Sequence, residues 1–111
     1  MQQDSFKDFV LDQLTGLSVT AKRMFGGYGL HRGETFFGIL HAGRLYFRTD
    51  DHTRAAYTVR GMGPFRPSTK QTLATYYEVP TDVLDDPELL ADWARAALAA
   101  ARPAKARKPR K

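Results

Sequence analysis

Between residues 23 and 49 the chain alternates apolar runs with turn-forming dipeptides, and this spacing most constrains its fold. Arg32-Gly33 and Ala42-Gly43 separate the runs Arg23–His31, Thr35–His41 and Arg44–Thr49. Such dipeptides between β-branched and aromatic residues predict two consecutive hairpins, hence an antiparallel meander. If each turn has two residues, alternation assigns the faces. Phe36, Gly38, Leu40, Leu45 and Phe47 then share one face with Phe25, Gly27 and Gly29. Tyr28, Leu30, Phe37, Ile39 and Tyr46 share the other, with His41, Arg44 and Arg48. Both faces are apolar, whereas a meander with one wet face alternates more cleanly. Helices are expected over one face. A second subunit or a ligand is expected over the other, with Tyr28, Phe37, Ile39 and Tyr46 as the partner face.

The first strand opens on Gly26, Gly27 and Gly29, three glycines in four residues. Glycine weakens a strand interior, so the run marks a bulge, a close helix or an approaching partner. Close packing of the first helix is the preferred reason. The run is not a dinucleotide fingerprint. Counting from Gly27 and Gly29, the third glycine falls on Arg32, and no βαβ unit follows. A phosphate-binding loop sequence is also missing.

Helices flank the strands. Ser5 is a candidate N-cap, and Phe6, Phe9, Val10, Leu14 and Leu17 recur at helical spacing over 5–15, with Gly16 as the stop. Asp50 can cap a helix over 51–60 that Gly61 ends. Residues 61–67 hold two prolines and two glycines and read as a loop. Gln71–Val79 suits a strand that Pro80 terminates. Asp86-Pro87-Glu88 is a helix start, and Leu89, Leu90, Trp93, Ala94, Ala97, Leu98 and Ala101 form its apolar stripe. The order α-β-β-β-α-β-α defines an α+β fold, a meander sheet packed by helices.

Charge divides the 111 residues in two. Residues 1–101 carry eleven Lys and Arg against twelve acids, a net of −1. Residues 102–111 add Arg102, Lys105, Arg107, Lys108, Arg110 and Lys111, a net of +6. The expectation is one domain over 1–101 and a disordered basic tail over 102–111. Such a tail can hold nucleic-acid phosphates with salt-dependent affinity, and it can equally act as a solubilising arm. The aromatics Phe25, Tyr28, Phe36, Phe37, Tyr46 and Phe47, beside Arg44 and Arg48, could stack bases. Core packing together with a subunit interface is the preferred reading of them.

Chemistry-bearing patterns are sparse. The chain has no cysteine, which excludes disulfides and thiolate nucleophiles and suits a cytoplasmic address. His31, His41 and His52 are dispersed without metal-ligand spacing. Asp82, Asp85, Asp86, Glu88 and Asp92 cluster at a helix start, and Asp50-Asp51 at another, where capping explains them. No nucleophile elbow occurs. No catalytic, cofactor-binding or metal-binding residue is assigned, and no membrane-spanning or signal segment is expected.

The assembled motifs resemble a known family. Arg23-Met24-Phe25-Gly26-Gly27-Tyr28-Gly29-Leu30 is the signature, followed by Gly43-Arg44-Leu45-Tyr46-Phe47-Arg48 and Tyr76-Tyr77-Glu78-Val79-Pro80. Asp82-Val83-Leu84-Asp85-Asp86-Pro87 and Trp93-Ala94-Arg95-Ala96-Ala97 continue it. Over about residues 5–101 the chain resembles the TfoX N-terminal domain. The resemblance implies a small α+β domain similar to secretion-chaperone-like folds. It also implies a bacterial regulator of natural competence that acts with the cyclic-AMP receptor protein, and brings no catalytic residue or cofactor. Full regulators carry a further helical domain, so a stand-alone N-terminal-type domain is expected. The leading expectation is a non-enzymatic regulatory or interaction module with a protein partner or homodimer. A nucleic-acid-associated protein using the tail is the second. A small-ligand binder or unrecognised enzyme, with a pocket near Gly26–Gly29 and the 61–67 loop, is the third.

Overall fold

The computed structural model describes residues 2–24, 26–68 and 71–101. Helix α1 (Gln2–Gln13) is followed by a 3-10 turn, Thr15–Leu17. Four strands come next: β1 (Thr20–Met24), β2 (Gly27–Arg32), β3 (Thr35–His41) and β4 (Arg44–Arg48). Helix α2 (Arg54–Thr58) leads to β5 (Pro64–Ser68) and β6 (Gln71–Glu78), and α3 (Thr81–Leu84) and α4 (Pro87–Ala101) complete the fold. The six strands form one antiparallel sheet in the order β1-β2-β3-β4-β6-β5. This is the expected α+β architecture, a meander packed by helices.

Two glycine signals have concrete causes. Ala42 and Gly43 both take positive φ (52° and 75°), as a type I′ hairpin requires, and His41 pairs with Arg44. Gly26 takes φ +75° between Met24 and Gly27, which pair with each other. The expected strand 23–31 is therefore corrected to two strands, β1 and β2, with a tight turn inside the glycine run. A left-handed residue cannot continue a strand.

Gly27 and Gly29 answer to space rather than to dihedral angle. A Cβ on Gly27 would lie 1.9 Å from the Leu40 carbonyl oxygen of the neighbouring strand. A Cβ on Gly29 would lie 2.4 Å from Met24 Sδ and 3.0 Å from Phe36 Cε1. The expected close approach of the first helix is thus replaced by strand backbone and outer-face side chains.

A bulge reassigns the faces. Leu30 pairs with Gly38, but His31 pairs with Phe36, leaving Phe37 as the extra residue. Pairing beside the turn keeps the expected parity, and pairing beyond the bulge reverses it. Tyr28, Leu30, Phe37, Leu40, Leu45 and Phe47 consequently lie in one core with α1 and α4 residues. Ile39, Tyr46, Phe65 and Tyr76 form a second core on the opposite face, with Phe36 and Leu73 packed against it. The expected single face of Tyr28, Phe37, Ile39 and Tyr46 is corrected accordingly. Gly38 makes room: a Cβ there would lie 3.2 Å from Leu30 Cδ1 and 3.3 Å from Phe47 Cδ1.

The second face is covered by the chain itself. In the sheet order, β4 and β6 separate β5 from β3. A flat sheet would place β5 about 14 Å from β3, at about 4.8 Å per strand. Yet the Phe65 ring sits 5.2 Å from His41 and 4.7 Å from Tyr46. The β5–β6 end therefore curls over the outer face. Register irregularities on both sides of Phe65 supply the bend. Of the residues 61–67 expected as a loop, 64–67 lie in strand β5, and Pro64 and Pro67 are tolerated because β5 is a sheet edge.

Over the first face, α4 crosses β3 and β4, with α1 beside it and α2 against β6. Leu90, Ala94, Ala97 and Leu98 are buried, which realises the expected stripe. Asp86 Oδ1 accepts from the Glu88 and Leu89 amides, so the expected cap is formed. Asp50 Oδ1 likewise accepts from the His52 and Thr53 amides, but the helix begins only at Arg54. Gly61 follows it at φ +79°. Helix α1 starts before Ser5, which lies inside it rather than at its cap. Among the described residues no helix is long and apolar enough to cross a membrane.

Candidate functional site

A cleft of about 280 Å³ is lined by residues of helices α2 and α4. Its wall is Ala56 and Tyr57 from α2 and Trp93, Ala96 and Ala97 from α4. The small side chains at 96 and 97 follow Trp93 at one-turn spacing, which leaves space above the sheet. The Tyr57 and Trp93 rings meet edge to face at 4.7 Å. Arg48, His52, Thr53 and Asp92 supply the polar lining. Tyr57 is 3% exposed, and burial pushes its phenol pKa well up, so the hydroxyl stays protonated at neutral pH.

Most charged groups near the cleft are already engaged. Asp92 accepts from Arg95 at 3.0 Å, and Arg54 Nη1 contacts Asp51 at 3.3 Å while its Nε donates to Thr49. Arg60 lies over the Trp93 ring at 5.5 Å and pairs with Asp82, whose carboxyl it holds below the usual range. The Asp50 carboxyl is also lowered, chiefly by the Thr53 amide and then by that of His52. Arg48 differs. It pairs with Tyr76 in the register and shares the outer face with it: its guanidinium carbon lies 5.8 Å from the Tyr76 ring centroid, the guanidinium hydrogen-bonds the Tyr76 side chain, and Nε is buried without a hydrogen-bond partner.

The residues singled out by sequence do not converge on this cleft. In the signature, Arg23 and Met24 end β1, Gly26 turns, Gly27, Tyr28, Gly29 and Leu30 run in β2, and Phe25 lies outside the described residues. Tyr28 carries Lys7 Nζ at 5.3 Å and Arg23 Cζ at 5.6 Å, which ties α1 to the first hairpin. Tyr28, Phe37, Ile39 and Tyr46 are all buried within the chain, so these four do not present an open face. The base-stacking platform is likewise dismantled, since Tyr28, Phe37 and Phe47 lie under helices and Tyr46 under β5. Arg44 is paired with Glu78 at 2.9 Å. The tail residues Arg102, Lys105, Arg107, Lys108, Arg110 and Lys111 lie outside the described residues.

The three histidines stay apart. His31 stacks on Phe36 at 5.1 Å with Nδ1 buried and unpartnered, His41 meets Phe65, and His52 reaches the cleft. Among the described residues no group of three or more His, Asp or Glu could hold a metal ion. Sequence reasoning did not find the cleft. The available signal was Trp93 followed by Ala96 and Ala97, a bulky ring beside small residues on an otherwise close-packed stripe.

These features define a class: a small α+β domain whose one antiparallel sheet is packed by helices on one face and folded over itself on the other. Residues 11–101 match the model of the TfoX N-terminal domain, and the chain belongs to this family. No match is found among curated proteins.

Proposed function

We propose that this chain is a non-enzymatic regulatory module that acts in the cytoplasm through a protein partner, in the manner of the competence regulators its family is known by. The match over residues 11–101 carries this reading. The engagement of Asp50 and Asp86 in capping, and of Asp82 and Asp92 with arginines, supports it, because these carboxylates have structural work. A homodimer is the other form of partner expected from the sequence, and sedimentation of the intact chain tests it. The test is deletion of the gene followed by transcript profiling, with complementation by the wild-type chain. A defined set of transcripts should change and be restored. An unchanged profile under inducing and non-inducing conditions would remove the regulatory reading.

A second reading draws on charge: six of the 17 Lys and Arg fall within residues 102–111. Nucleic acid held by this segment would bind with steep salt dependence, and its removal should flatten the slope. Affinity capture from native cells, with and without residues 102–111, separates the two readings. Protein recovered with both chains supports the first, and DNA or RNA recovered only with the longer one supports the second.

A further inference from the structure

The two edges of the sheet differ. The β5 edge carries Pro64 and Pro67, which lack N–H donors, and it curls over the outer face. The β1 edge has no proline and pairs on one side alone, with β2. Met24 and Gly27 close a two-residue turn, and the closing pair of such a hairpin exchanges both of its hydrogen bonds. Alternation then makes Lys22–Gly29 and Thr20–His31 the other bonded pairs. The N–H and C=O groups of Ala21 and Arg23 therefore point away from β2, to the open edge. No further backbone hydrogen bond among the described residues takes them up.

The side chains of β1 select what can pair there. Ala21 packs toward the helix-covered core and Arg23 lies over the Tyr28 ring, so Lys22 lies on the opposite face. Lys22 and Arg23 are exposed, and no carboxylate among the described residues pairs with either. The edge thus presents two consecutive unpaired cations, one on each face. A second copy pairing β1 with β1 about a two-fold axis sets Lys22 of one copy opposite Lys22 or Arg23 of the other, which like charge opposes. Residues 102–111 are equally unsuited, being basic and holding Pro103 and Pro109. Edge cations keep such strands away, and an acidic strand is the one they favour.

We propose that the β1 edge takes up an extended acidic segment of a partner protein by strand addition, with two consecutive acidic residues facing Lys22 and Arg23. Backbone hydrogen bonds to Ala21 and Arg23 supply affinity, and the two cations supply selection. The inference rests on the protein-partner part of the proposed function and names the chemistry of that partner.

The probe is the peptide acetyl-Thr-Val-Glu-Glu-Val-Thr-amide, with Lys-Lys in place of Glu-Glu as its counterpart. Each is titrated at low salt into the intact, nitrogen-15-labelled chain and followed by amide chemical shifts. The acidic peptide should give saturable shifts centred on Ala21, Lys22 and Arg23 and bind at least ten-fold more tightly than the basic one. Ala21→Pro removes one outward N–H and no charge, and should weaken the acidic peptide at least ten-fold. Lys22→Glu, an exposed change, should abolish the preference for it. Circular dichroism checks that each variant is folded, and the comparison of peptides on the wild-type chain needs no variant. No saturable shift up to 5 mM peptide, equal affinity for the two peptides, or unchanged affinity in folded Ala21→Pro would each overturn the proposal. So would a wild-type dimer in sedimentation that Ala21→Pro dissolves, which assigns the edge to a second copy. Tighter peptide binding after removal of residues 102–111 would assign it to that segment instead. Peptide binding is read on the purified chain, so it stands or falls separately from the transcript profile that tests the regulatory reading.

Discussion

Gly27→Ala is the most direct test of how the glycine signature works. The new methyl carbon would fall 1.9 Å from the Leu40 carbonyl oxygen, 3.0 Å from its carbon and 3.2 Å from the His41 Cα. All three are backbone atoms, so no rotamer change relieves the overlap. Strand β2 must retreat from β3 by more than 1 Å on the order of a normal contact distance, which spoils the hydrogen bonds beside the Tyr28–Leu40 pair. Overpacking alone costs about 1–3 kcal/mol. A buried backbone group left unsatisfied adds about 1–3 kcal/mol. The expected loss is therefore about 3 kcal/mol, a large part of the stability of a small domain. The assay is urea unfolding followed by Trp93 fluorescence and far-ultraviolet circular dichroism. With an m value of about 1.5 kcal/mol/M, the midpoint should fall by about 2 M. Gly63→Ala is the control, because its φ is not positive and a Cβ there meets nothing within 4 Å. It should be neutral or stabilising by about 0.5 kcal/mol. A Gly27→Ala midpoint within experimental error of wild type would refute the steric account.

Three further outcomes are expected. Asp86→Ala, which removes the side-chain oxygen from the Glu88 and Leu89 amides, should cost about 1 kcal/mol by the same urea assay. Phe65→Ala should cost about 3–5 kcal/mol, since that ring is 1% exposed and closes the outer core, and sedimentation should then show self-association through the uncovered face. Tyr57 has a folded-state pKa raised by burial, so its contribution is fully present below the unfolded value of about 10 and is lost as pH rises through the folded value. Tyr57→Phe should accordingly flatten the alkaline limb of a melting-temperature profile above about pH 10 and leave neutral pH little changed.

Local signals carried much of the architecture. The Ala42-Gly43 hairpin, the Asp86 cap and the α4 stripe were all legible, because each depends on residues within about one helical turn or one tight turn. The candidate cleft was not. It arises where α2 and α4, 36 residues apart between Tyr57 and Trp93, are held against one sheet, and no short-range pattern encodes that separation.

By itself the sequence determined the α+β class, the antiparallel hairpin at Ala42-Gly43, the start and apolar stripe of α4, and the family, since backbone dihedral preference and apolar periodicity are written residue by residue. Tertiary structure alone decided three things. It broke the glycine run into a hairpin at Gly26, because turn and strand glycines look alike until a partner strand fixes φ. It placed the bulge at Phe37, and a single extra residue exchanges the faces of everything beyond it. It folded β5 across the outer face, so that Phe65 supplies the cover that the chain's two apolar faces had suggested must come from a partner. Such choices rest on which distant surfaces exclude water from each other, a property of the whole packed chain.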